Sequence, residues 1–135
     1  MKELTVEATT SNVERVTDFV DEQLEQIDCP MPMMVKINVA IDEVFSNIVN
    51  YAYNPESGNA TITVDVSKER PGVIISFIDS GREFNPLEST EPDLSVPVDE
   101  RPIGGLGIFM VRKMMDEVSY ERIDNTNVLR ITKFF

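Results

Sequence analysis

Polar and apolar positions alternate over residues 3–8, the two-residue period of a half-buried strand. The period then lengthens. Val13, Val16, Phe19, Val20, Leu24 and Ile27 recur at three- and four-residue spacing, which lines one face of a helix. Ser11 and Glu14 stand where a capping box would open it, and Cys29-Pro30-Met31-Pro32 would end it. A second helix is predicted over residues 33–53, broken by Asn54-Pro55-Glu56-Ser57-Gly58. Residues 60–66 and 73–78 are β-rich runs flanking Arg70-Pro71-Gly72, a hairpin pattern. Residues 82–103 show neither period. A third helix is predicted over 105–117, and a last hairpin pairs 118–123 with 127–134 across Asp124-Asn125-Thr126. The order β-α-α-β-β-α-β-β predicts an α+β fold: a two-layer sandwich with helices on one face of a mixed, mostly antiparallel sheet. One domain over 1–135 is expected.

Composition removes several functions from consideration. The 135-residue chain has no histidine and a single cysteine, Cys29. A Ser-His-Asp triad, a histidine metal site, phosphohistidine chemistry and an intrachain disulfide are therefore excluded within it. Its formal net charge of −12 speaks against nucleic acid as a partner, because phosphate neutralisation by Lys and Arg dominates that affinity. No apolar run approaches the ~18 residues of a membrane span, and the N-terminus lacks a secretory apolar segment. Cytoplasm is the expected location.

Three stretches carry candidate chemistry. On the predicted second helix, Ile37, Ile41, Val44, Phe45, Ile48, Val49 and Ala52 cover one broad face, while Glu43, Asn47 and Asn50 form a narrow stripe opposite. Such a stripe is a solvated face, or it is a site. A carboxylate and an amide oxygen one turn apart suit Mg²⁺ ligation and activation of a hydroxyl. Asp79-Ser80-Gly81 follows a strand-like run. It reads as an ordinary turn, or as an acceptor-only carboxylate for adenine's exocyclic amine beside a glycine that lets a flat ring approach. Gly104-Gly105-Leu106-Gly107 gathers three of the chain's six glycines at a helix start. It serves tight packing, or it offers free N–H groups to phosphate.

The stretch between the last two has the composition of a lid. It is 22 residues long, with four of the eight prolines, six acids, and Arg82 and Arg101 as its cations. Loops longer than about 12–15 residues are uncommon in compact domains and usually functional or disordered. Arg82 or Arg101 is expected to meet phosphate oxygens when such a lid closes.

Together these stretches resemble the GHKL (Bergerat-fold) ATPases. Residues 40–53 look like their N box, Asp79-Ser80-Gly81 like the G1 box and Gly104-Gly105-Leu106-Gly107-Ile108 like the G2 box. Within that superfamily the chain is most similar to the anti-sigma-factor serine kinases. The spacing of Glu43, Asn47 and Tyr53 and the segment Asp79, Gly81, Phe84, Pro86 carry the likeness. The resemblance implies a Bergerat ATP-binding fold with ATP and Mg²⁺ as cofactors. Asn47 would ligate Mg²⁺, Glu43 would be the general base for an acceptor serine, and Asn50 would lie close to the nucleotide. Asp79 would accept from adenine with Gly81 admitting the ring, and Gly104, Gly105, Leu106 and Gly107 would face the phosphates. The family implies a homodimer that phosphorylates a STAS-type anti-anti-sigma factor and sequesters a sigma factor, binding neither nucleic acid nor membrane. The alternative is a nucleotide-dependent binding switch without phosphoryl transfer. Glu83 stands where many members have a G1 glycine, and Tyr51 where many have histidine.

Overall fold

The computed structural model describes residues 1–53, 56–66, 70–88 and 105–135. In chain order the elements are β1 (Lys2–Glu7), α1 (Val13–Gln26), α2 (Met31–Asn47), β2 (Asn59–Val66), β3 (Gly72–Asp79), α3 (Gly105–Met114), β4 (Glu117–Ile123) and β5 (Thr126–Phe134). The strands form one sheet in the order β1-β2-β3-β5-β4. All its pairings are antiparallel, so the sheet is not mixed. Connectivity explains this. β2–β3 and β4–β5 are hairpins. Two helices separate β1 from β2, and α3 with β4 separates β3 from β5. The chain thus returns in the opposite direction each time.

The three helices cover one face. Ile62 of β2, Ile75 and Phe77 of β3 and Ile131 of β5 meet Leu24 of α1 and Ile37, Ile41 and Phe45 of α2, all with under 2% of their surface exposed. Full burial of each such side chain stabilises the fold by about 1.5–3 kcal/mol before entropy is counted.

Four local expectations are corrected. No capping box forms at Ser11 and Glu14. A 3₁₀ turn at Thr10–Asn12 precedes α1, and the Asn12 amide is drawn back to the Glu7 carbonyl (2.8 Å). The second helix starts at Met31, with proline in its first turn. It then changes character, because Ile48–Ala52 is a π-helical turn. The third helix ends at Met114, not 117. Lys133 Nζ donates to the Met114 carbonyl (2.9 Å), and the Asp116 N–H bonds to the Thr132 carbonyl (2.9 Å). In the last hairpin only Asp124 and Asn125 turn, at φ 47° and 65°. Asp and Asn tolerate this left-handed region, and Thr126 already pairs with Ile123.

Candidate active site

Sheet register decides where the chemistry sits. In β3 the alternation that turns Val73, Ile75 and Phe77 inward also turns Asp79 inward. Its neighbours in the sheet are Ala60 on one side and Asn127 on the other. A carboxylate thus ends an apolar row and is only 5% exposed. Burial pushes its pKa above the ordinary 3.8, against the donors from Asn127 and Gly81 and the charge of Arg122. The Gly81 N–H and the Asn127 amide both donate to Oδ1, each at 2.9 Å. Among the described residues both bonds end on Oδ1, which leaves Oδ2 as the acceptor for a ligand's donor.

Asn127, also 5% exposed, is the residue that the sequence pattern does not single out. Its amide nitrogen holds Asp79 and the Arg82 carbonyl (2.7 Å). Its oxygen accepts from Tyr120 Oη (2.5 Å), Arg122 Nη1 (3.1 Å) and the Phe84 N–H (3.3 Å). Arg122 also donates to the Gly81 carbonyl (2.9 Å). The one signal was parity, since Asn127 interrupts the inward row that continues as Leu129 and Ile131.

The π-helical turn receives the segment after Asp79. The Arg82 N–H donates to the Ala52 carbonyl (3.0 Å) and Arg82 Nε to the Tyr51 carbonyl (2.7 Å). Gly81 lies so close to Ala52 that a Cβ on Gly81 would run into its carbonyl group. The Tyr51 and Phe84 rings stack at 5.0 Å. Tyr53 Oη accepts from the Ser80 N–H (2.8 Å) and donates to the Asn59 carbonyl (2.7 Å). Insertions of this kind recur at functional sites because the extra residue re-aims the chain that follows.

Between the turn and the sheet lies a cleft lined by Val44, Asn47, Ile48, Ala52, Phe77, Asp79, Phe84, Pro86, Tyr120, Asn127 and Leu129. The cleft is open at its mouth, and the roughly 380 Å³ of atom-free space in it includes open solvent. Its walls are apolar and its polar groups few, which suits a flat heteroaromatic ring with an exocyclic amine.

The first and third stretches meet as well. Glu43 is one turn before Asn47 on α2 and is half-buried. Gly107 in the first turn of α3 rests against it, and a Cβ at Gly107 would overlap the Glu43 carboxylate. Asp79 and Asn47 therefore share the cleft, Gly81 packs against Ala52 and does not line it, and Glu43 and Gly107 share the α2–α3 contact. Gly105 and Leu106 lie in the first turn of α3. Asn50 is exposed on the π-helical turn and does not line the cleft. Arg101 and Gly104 lie outside the described residues, with the lid from 89 onward. The described part of that stretch holds a 3₁₀ turn at Pro86–Glu88. No trio of His, Cys, Asp and Glu side chains fit for a metal occurs among the described residues. Any Mg²⁺ here would rest on Asn47 plus ligand oxygens, its usual mode beside phosphates. Asn47 in the cleft wall and the close seat of Gly107 on Glu43 fit that arrangement.

Known proteins resemble the chain over most of its length. The chain is 30% identical over 96 residues to the serine/threonine-protein kinase BtrW of Bordetella bronchiseptica, covering 71% of this chain and 67% of BtrW. It is 26% identical over 131 residues to the serine-protein kinase RsbW of Bacillus cereus, covering 96% of this chain and 75% of that protein. RsbW of Bacillus mycoides is 30% identical over 105 residues, 75% of this chain and 64% of that one. The family profile described as histidine kinase-like ATPase domain matches residues 6–133. Its match spans both the Asp79 cleft and the Glu43–Gly107 contact, and the chain belongs to the histidine kinase-like ATPase domain family.

Proposed function

We propose that the chain is an ATP-dependent serine protein kinase of the anti-sigma type. It transfers the ATP γ-phosphate to a serine of a STAS-type anti-anti-sigma partner. The observation that carries this reading is Glu43 held against Gly107, one helical turn from Asn47 in the wall of the Asp79 cleft. Adenine's amine donates to Asp79 Oδ2, and Gly81, seated close on Ala52, holds the other carboxylate oxygen in place with its N–H. Asn47 would hold Mg²⁺, which would supply neutralising charge to the phosphates. Glu43 takes the proton from the serine hydroxyl as its oxygen bonds to the γ-phosphorus. The bond from that phosphorus to the β,γ-bridging oxygen breaks, and ADP leaves. A switch without transfer would have no chemical use for Glu43 beside Asn47. Homodimerisation, a sigma factor as second partner and a cytoplasmic location belong to the same proposal. No helix among the described residues is long and apolar enough to cross a membrane. The test is incubation of the chain with [γ-³²P]ATP, Mg²⁺ and each purified STAS-domain protein of the same genome. Acid-stable label on a serine of one of them supports the reading. No label on any overturns it.

Two expectations follow from the site's geometry. The two atoms that a Cβ on Gly107 would strike hard, Oε2 and Cδ, both belong to the movable carboxylate end of Glu43, and alanine is the better helix former by about 1 kcal/mol. Gly107→Ala should therefore fold at least as well as the parent while displacing the base, lowering kcat by roughly tenfold or more. A melting temperature that falls while kcat holds would show that Gly107 serves packing alone.

The second concerns pH. The raised pKa of Asp79 means that acidification protonates it, and ATP affinity declines, with a midpoint above the ordinary 3.8. Asn127→Ala removes a donor to the ionised form, so the midpoint should move further up. Titration calorimetry across pH checks both. A midpoint at or below 3.8 would assign the acceptor elsewhere.

A further inference from the structure

We propose that the outward face of α2 is the docking surface for the protein whose serine is phosphorylated, an inference that rests on the kinase reading above. Met31, Val35 and Val39 follow one another at four-residue steps and are 68%, 55% and 43% exposed. This is the side of an amphipathic helix where polar residues belong. The next member of the same row is Glu43. An apolar strip thus runs along the helix and ends at the proposed base.

The strip widens onto α3. Gly107 abuts Glu43, and Met114 at the other end of α3 is tied to Lys133. Lys133 pairs with Val73, at the end of β3 opposite Asp79. Asn47 and Asp79 share the cleft, so α3 runs back antiparallel beside α2. Met110, one turn beyond Gly107, is 44% exposed. Exposed apolar side chains thus stand on both helices, on the two sides of the Glu43–Gly107 contact.

Two observations say what covers it. The inner side of α2 is packed on the sheet and the α3 side of Glu43 is closed by Gly107. A hydroxyl must therefore reach Glu43 from outside. A protein delivering it lays its flanking surface over Val39 and Val35, about 6 and 12 Å back along the helix axis. Charge agrees. On α1 the exposed acids Glu14, Asp18, Glu22 and Glu25 outnumber the one exposed cation, Arg15, whereas α2 and α3 expose Lys36, Arg112 and Lys113 against the single exposed acid Asp42. In a chain of net charge −12, this is the face that accepts a partner with an apolar centre and an acidic rim around its serine.

The test uses the STAS-domain protein labelled in the preceding experiment. The double variant Met31→Glu, Val35→Glu leaves Val39 untouched, since Val39 is one turn from Glu43. KM for the protein substrate should rise at least tenfold, with kcat at saturation and ATP affinity within twofold of the parent. Val66→Glu, at the end of β2 and 49% exposed, should change none of these. An unchanged KM in the double variant overturns the docking surface. So does a changed sedimentation mass with unchanged KM, which would make this face a contact between copies of the chain. A parent chain that labels no STAS-domain protein overturns the kinase reading, and this inference with it.

Discussion

Asp79→Asn should weaken ATP binding by roughly tenfold to a hundredfold or more and leave the protein at least as stable at neutral pH. Both local donors, the Gly81 N–H and the Asn127 amide, end on Asp79 Oδ1. An asparagine can keep that oxygen in place, so the turn after β3 retains its bonds. What changes is the second position, where an amide N–H₂ replaces the acceptor Oδ2 and faces adenine's own N–H₂. Losing a hydrogen bond to a charged group costs about 1.5–3 kcal/mol, and donor facing donor adds to that. Affinity should drop by roughly tenfold to a hundredfold or more. The stability arm has the opposite sign. Burial raises the Asp79 pKa, so the folded protein holds this proton more tightly than the unfolded chain does. The stability that the group contributes is complete below the unfolded pKa and lost as pH rises through the folded one. At pH 7 the charge is a cost, and the neutral amide relieves it. Calorimetric titration with ATP and thermal unfolding at pH 7 and pH 4 test the two arms. Wild-type affinity in the variant would remove Asp79 from the site.

Glu43→Gln should separate chemistry from binding. The substitution keeps size and helix propensity and removes the proton acceptor. Nucleotide affinity should stay within a few-fold, while phosphoryl transfer to the protein substrate falls by roughly 10²–10⁴, the usual worth of a positioned base. Asn47→Ala should behave differently, weakening Mg²⁺-dependent nucleotide binding itself. Single-turnover transfer at saturating ATP, beside equilibrium binding with and without Mg²⁺, distinguishes the two. Transfer at the wild-type rate in both variants would reduce the stripe on α2 to a solvated helix face.

Periodicity made most of the fold legible. Val16, Val20 and Leu24 on α1, and Ile62, Ile75 and Phe77 in the sheet, are buried where the spacing predicts. These patterns depend only on neighbours along the chain. The features that escaped the sequence depend on something else. The π-helical turn at Ile48–Ala52 keeps the apolar residues of a helix, and a regular 3.6-residue count passes straight through it. Asn50, the last member of the stripe in the sequence, is exposed on that turn. The capping box at Ser11 lost to a competing bond, from Asn12 to Glu7 across the strand–helix junction. Asn127 could be placed beside Asp79 only once β5 was known to pair with β3 in that register. The contact of Gly107 with Glu43 likewise needs the packing of α3 on α2. The sequence does name the two residues but not the space between them. For the lid, the proline- and acid-rich composition suggested a function, while Arg101 and Gly104 lie outside the described residues.

A crystal structure with Mg²⁺ and a non-hydrolysable ATP analogue tests most directly whether Asp79, Asn47 and Glu43 belong to one nucleotide site. The expected result has the adenine amine about 3 Å from Asp79 Oδ2, Mg²⁺ about 2.1 Å from the Asn47 side-chain oxygen, and the terminal phosphate at Glu43 and Gly107. Nucleotide bound elsewhere on the chain, or a cleft left empty at saturating analogue, would contradict it.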